Sequence, residues 1–84
     1  MVQSKYIVFT SPASGRLPVA VIFPDCMIHS DVAARLLATV MGAGFVNIAH
    51  TPEGIQVKPY GYSESLKIGS RPEDKRFIEK ALGL

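Results

Sequence analysis

Asp25-Cys26-Met27-Ile28-His29-Ser30-Asp31 is where a thiol, an imidazole and two carboxylates crowd together in this chain. A Cys–His pair with an orienting acid is the skeleton of thiol catalysis, in which the imidazole takes the thiol proton. The pattern is of low specificity. A short spacing within one loop does not make ring and thiol meet, a free cysteine is commonly a small buried hydrophobe, and Ser30 and Asp31 already suit a helix cap. Thiol chemistry at Cys26 and His29 therefore ranks third among three functional readings. Metal binding could draw on Cys26, His29, Asp25 and His50, but zinc sites carry paired ligands at short spacing in two places, and at most one such pair exists. No catalytic residue, metal or cofactor is expected.

The segment from Lys58 to Lys67 is more suggestive. Its candidate binding residues are Lys58, Tyr60, Tyr62, Ser63, Glu64 and Lys67. Two tyrosines around Gly61, with a lysine on either side, could offer stacking faces and cations to single-stranded nucleic acid or a nucleotide; Glu64 opposes this. The competing reading places Tyr60 and Tyr62, two apart in an extended stretch, on one sheet face against a helix or a second subunit, where a ring with a wet tip suits an interface. Protein contact is the leading expectation, and nucleic acid the alternative. Lys67, Arg71, Lys75, Arg76 and Lys80 alternate with Glu73, Asp74 and Glu79, which is the pattern of a solvated helix face with ordinary ion pairs. Gly42-Ala43-Gly44 lacks the Gly-Lys-Ser/Thr ending of a phosphate loop and follows a helix instead of preceding one, which rejects nucleotide hydrolysis.

Six elements position these residues. Tyr6 to Thr10 and Leu17 to Phe23 are rich in β-branched and aromatic residues and flank the turn Ser11-Pro12-Ala13-Ser14-Gly15-Arg16, so an antiparallel hairpin is expected, with Pro18 marking an edge or the strand's beginning. A helix follows from Ser30 or Asp31 to Met41, its buried stripe made by Val32, Ala33, Leu36, Leu37 and Val40, and Gly42 and Gly44 stop it. Phe45 to His50 and Ile55 to Tyr60 flank Thr51-Pro52-Glu53-Gly54 as a second hairpin, with Pro59 on an edge. A last helix is expected from about Arg71 to Leu82, opened by a capping box of Ser70 and Glu73, with Pro72 in its first turn and Gly83 at its exit. Its apolar stripe is Phe77, Ile78, Ala81 and Leu82. The order β-β-α-β-β-α predicts an α+β two-layer sandwich: a four-stranded, mostly antiparallel sheet with both helices on one face.

Tyr6-Ile7-Val8-Phe9, Val21-Ile22-Phe23-Pro24 with His29-Ser30-Asp31-Val32-Ala33, Ala43-Gly44-Phe45-Val46, and Ser65-Leu66 leading into Ser70-Arg71-Pro72-Glu73-Asp74 resemble a family of small phage and prophage proteins. That family has no established activity, so the resemblance implies context alone: a short accessory gene product that binds a host or phage partner.

With 84 residues the chain makes a single domain, residues 1–84, near the lower limit for folding without disulfides or metal. A shared interface would stabilise such a chain, so a homodimer or higher oligomer is expected. An apolar fraction of 48% excludes intrinsic disorder, and a net charge of +2 does not by itself imply nucleic acid. The single cysteine and the absence of a long apolar run fit a soluble cytoplasmic protein that does not touch the membrane.

Overall fold

The computed structural model describes residues 2–84. Strand β1 (Val2–Thr10) leads through a short 3-10 turn (Pro12–Ser14) to β2 (Val19–Pro24), then α1 (His29–Leu36), β3 (Thr39–Thr51), β4 (Gly54–Tyr60), a small hairpin β5 (Tyr62–Ser63) and β6 (Ile68–Gly69), and α2 (Asp74–Ala81). The main sheet has four strands in the order β2-β1-β3-β4, and each neighbouring pair is antiparallel. Both expected hairpins form, and both proline-marked strands lie at the edges. Ser11 and Ser14 cap the first turn reciprocally: the Ser14 amide donates to the Ser11 hydroxyl and the Ser11 amide to the Ser14 hydroxyl.

The α+β class and the antiparallel sheet stand, but the two helices do not share one face. Tyr6 and Val8 pack with Val46, Val57 and Ile78 of α2, whereas Ile7 and Phe9 pack with Phe23 and with Val32 and Ala33 of α1. Successive residues of a strand point to opposite sides, so α1 and α2 lie on opposite faces of β1. The uninterrupted apolar run Tyr6-Ile7-Val8-Phe9, all of it buried, is the signature of a strand covered twice. The β5–β6 hairpin, unforeseen from the sequence, departs from the expected element order.

Strand β3 is far longer than expected because α1 ends early. Leu37 turns into the left-handed region at φ 52, the Leu37 amide donates to the Ala34 carbonyl and the Ala38 amide to the Ala33 carbonyl, and the chain then extends from Thr39. Gly42, expected to stop a helix, lies inside β3 for a packing reason. A Cβ there would stand 2.8 Å from Arg71 Nε and press on the Asp74 carboxylate. A bulge at Met41 lets Val8 oppose Gly42 and Phe9 oppose Val40, so Val40 faces α1 while Gly42 faces α2.

Helix α2 also starts later than its sequence signals suggest. The Ser70–Glu73 capping box does not form, and Glu73 makes no side-chain cap bond. Asp74 takes the role one residue on: its carboxylate accepts from the Arg71 amide at 3.0 Å, across the turn that Pro72 opens. Gly83 does end the helix in the left-handed region, with Leu84 donating back to the Glu79 carbonyl. Of the expected stripe, Ile78 is buried and Phe77 packs beside it, while Ala81 and Leu82 are exposed.

Candidate functional site

Helix α1 covers only one end of its sheet face. Beyond it, alternation and register place Gln3 and Lys5 of β1, Phe45, Asn47 and Ala49 of β3, and Gln56, Lys58 and Tyr60 of β4 on the same side. They form rows: Lys5 opposes Phe45, which opposes Tyr60; Gln3 opposes Asn47, which opposes Lys58; Ala49 opposes Gln56. None of these side chains is buried, and none is acidic. The Phe45 and Tyr60 rings stack with centroids 5.8 Å apart and planes at 27°. Lys5 Nζ lies 6.0 Å from the Phe45 centroid and donates to the Met27 carbonyl at 2.7 Å.

A hollow of about 190 Å³ adjoins Phe45, lined also by Lys5, His29, Tyr62, Glu64 and Ser65. The Ser30 amide donates to Ser65 Oγ at 3.1 Å, which ties the hairpin loop to the start of α1. His29 forms the floor. It is buried edge-on between Phe23 and Phe45, and its Nε2, 2.8 Å from the Gly44 carbonyl, must carry the proton because a carbonyl only accepts. Desolvation lowers its pKa, the Gly44 bond opposes that shift, and Lys5 adds to the lowering, so the surroundings favour the neutral ring. His29 is thus a positioned aromatic wall with its Nε2 proton spent on Gly44 instead of Cys26, which is exposed. Among the described residues, no three of His, Cys, Asp and Glu gather into a metal-sized cluster.

The six sequence candidates separate. Lys58 and Tyr60 belong to the open sheet face, whereas Tyr62 and Glu64 line the adjoining hollow. Tyr60 and Tyr62 do not share one strand face as expected. Gly61, at φ 85, breaks the extended run between them, and a Cβ on it would strike the Phe45 ring. Ser63 is buried and structural: its hydroxyl accepts from the Leu66 amide and its carbonyl from the Lys67 amide. Lys67 is an exposed turn residue at φ 58. Sequence reasoning missed Lys5, Gln3, Phe45, Asn47 and Gln56; the alternation of Gln3 and Lys5 with Tyr6 and Val8 was the available signal.

No helix among the described residues is long and apolar enough to cross a membrane. Comparison with protein-family models, with curated proteins and with solved structures yields no match for this chain.

Proposed function

We propose that the chain binds single-stranded nucleic acid across the open end of its sheet. The observation that carries the reading is the stacked Phe45–Tyr60 pair, flanked by Lys5 and Lys58 and surrounded by the amides of Gln3, Asn47 and Gln56, without a carboxylate in the rows. Every base has a π-face that stacks on an aromatic ring, lysines hold the backbone, and amides can donate and accept at base edges. A half-wet antiparallel sheet needs no ligand to be stable, so exposure alone argues nothing. Composition argues more: seven acidic residues stand against nine cations in the chain, yet these rows contain only cations and neutral groups. An accessory binding role also suits the resemblance to small phage and prophage proteins. Anisotropy of a labelled octathymidylate at low salt tests the reading. Phe45→Ala and Tyr60→Ala should each weaken binding about 5- to 150-fold, the loss of ~1–3 kcal/mol of stacking, while Tyr60→Phe keeps it. An absence of saturable binding at protein concentrations of about 100 μM, where even non-specific complexes form, would sink it.

A second reading, self-association or contact with a host or phage protein, has its own support at the opposite edge. From Val19 to Phe23, β2 carries no charge, proline or bulge on its unpaired side, the devices that normally block strand addition. A second copy adding antiparallel along β2 would extend the sheet and leave the aromatic face free in both copies.

A further inference from the structure

A groove of about 450 Å³ opens along the outer edge of β4, between that strand and the turn that begins α2. It is lined by Lys58, Pro59, Ser70, Arg71, Pro72 and Lys75. The charged residues of this lining are all cations, and they come from two elements distant in sequence: Lys58, at the rim, from edge strand β4, and Arg71 and Lys75 from the start of α2.

Arg71 differs from an ordinary surface arginine in being fixed from below. Its Nε and Nη2 donate to Asp74 Oδ1 at 2.9 and 2.7 Å, while Asp74 Oδ2 accepts from the Tyr6 hydroxyl at 2.6 Å and from the Arg71 amide. Asp74 and Tyr6 are fully buried, and the Arg71 side chain is 27% exposed. Two of the five N–H donors of a guanidinium therefore hold its plane, and Nη1 is left with only a long 4.0 Å approach to Glu73. A fork whose rotamer is already paid for in the folded state loses little entropy on binding, and its planar donors match the oxygens of a phosphate.

The plain alternative is that Arg71 serves only to neutralise and cap Asp74. That accounts for Nε and Nη2. It leaves unexplained why Lys58 and Lys75 line the same groove and why no carboxylate does. We propose that this groove binds a phosphate group, with Arg71 as the pre-set fork, Lys75 as a flanking point charge and Lys58 at the rim that the groove shares with the aromatic face. The site stands apart from the base-stacking reading and shares only Lys58 with it. The phosphate could be a phosphodiester of a strand that continues over the β4 edge, or the terminal group of a free phosphorylated molecule; the two present the same oxygens to Arg71.

Proton–nitrogen NMR spectra of the full chain, titrated with inorganic phosphate against chloride at matched ionic strength, provide the test. Saturable shifts are expected at the Ser70 and Arg71 amides and at Arg71 Nε–H. Lys75→Glu, a fully surface change, should weaken phosphate about tenfold, the scale of one charge-assisted contact, as should Arg71→Lys, which keeps the charge and loses the fork. Phe45→Ala should leave phosphate binding unchanged. Adding octathymidylate separates the sources: displacement of phosphate identifies a phosphodiester, and its retention identifies a free ligand. Shifts no larger than those of chloride, or phosphate affinity unaltered in Lys75→Glu, overturn the proposal, and the second readout does not depend on Arg71→Lys folding.

Discussion

At the scale of single residues, the most constrained group is the Tyr6 hydroxyl. Burial raises its pKa far above the ordinary value, and the bond to Asp74 with that carboxylate's charge raises it further. In the unfolded chain the same hydroxyl ionises near pH 10, so above about that pH the unfolded state sheds a proton that the folded state keeps. The contribution is complete below pH ~10 and is lost as pH rises beyond it. Urea midpoints measured between about pH 8 and 11 should therefore fall on the alkaline side, and Tyr6→Phe should flatten that fall. At neutral pH Tyr6→Phe should cost about 1–3 kcal/mol, because Asp74 stays buried with one donor fewer. Identical alkaline slopes in the two proteins would place the titrating group elsewhere. Neither partner advertises the pair in sequence. Asp74 reads as a helix-start carboxylate and Tyr6 as a strand aromatic, and only the fold brings them together.

At the scale of elements, the end of α1 is the weak joint. Leu37 occupies a left-handed conformation that glycine usually fills at a helix exit, and its side chain is 77% exposed. The conformation costs a non-glycine residue about 1–2 kcal/mol, and glycine's greater freedom in the unfolded chain returns about half of that. Leu37→Gly should raise stability by up to about 1 kcal/mol, read as a higher urea midpoint at unchanged slope. A lower midpoint would mean that the leucine packs usefully. This element also shows where the sequence was legible and where it was not. Strands β1, β2 and β4 were readable from β-branched runs bounded by turns, because those signals are local. The helix limits were misread because Val40 continues the spacing of Val32 and Leu36, so the 3.6-residue period runs on into a stretch where pairing with β1 wins. Gly42 looked like a helix stop because its real constraint, the approach of Arg71 and Asp74, comes from residues about thirty positions away. The open aromatic face was half legible: Lys58 and Tyr60 lay in a suggestive segment, while Phe45 and Lys5 became candidates only once the register was known.

At the scale of the whole molecule, opposite-face helices leave two differently finished edges. The β4 edge has Lys58 and Pro59, which resist a further strand, whereas β2 has prolines only at its two ends, Pro18 before it and Pro24 as its last residue, and no guard from Val19 to Phe23 between them. If two copies pair along β2, sedimentation should show a concentration-dependent dimer. Val19→Lys, which places a charge at a position already 38% exposed, should shift it to monomer without altering the circular dichroism of the fold. A wild-type chain that remains monomeric at all concentrations would dismiss edge pairing. Because the aromatic face and the cationic groove both lie toward β4, the Val19→Lys monomer should keep its ligands at unchanged intrinsic affinity and lose only avidity.

The bond between Tyr6 and Asp74 spans 68 positions of the chain. During synthesis the β1–β2 hairpin can close early, and β3 and β4 can add to it, but the face of β1 that holds Tyr6 and Val8 stays uncovered until α2 arrives with Asp74 and Ile78. A ribosome stalled before Asp74 would therefore hold a nearly complete sheet with one apolar side open to water, the kind of surface that chaperones and proteases read as unfinished.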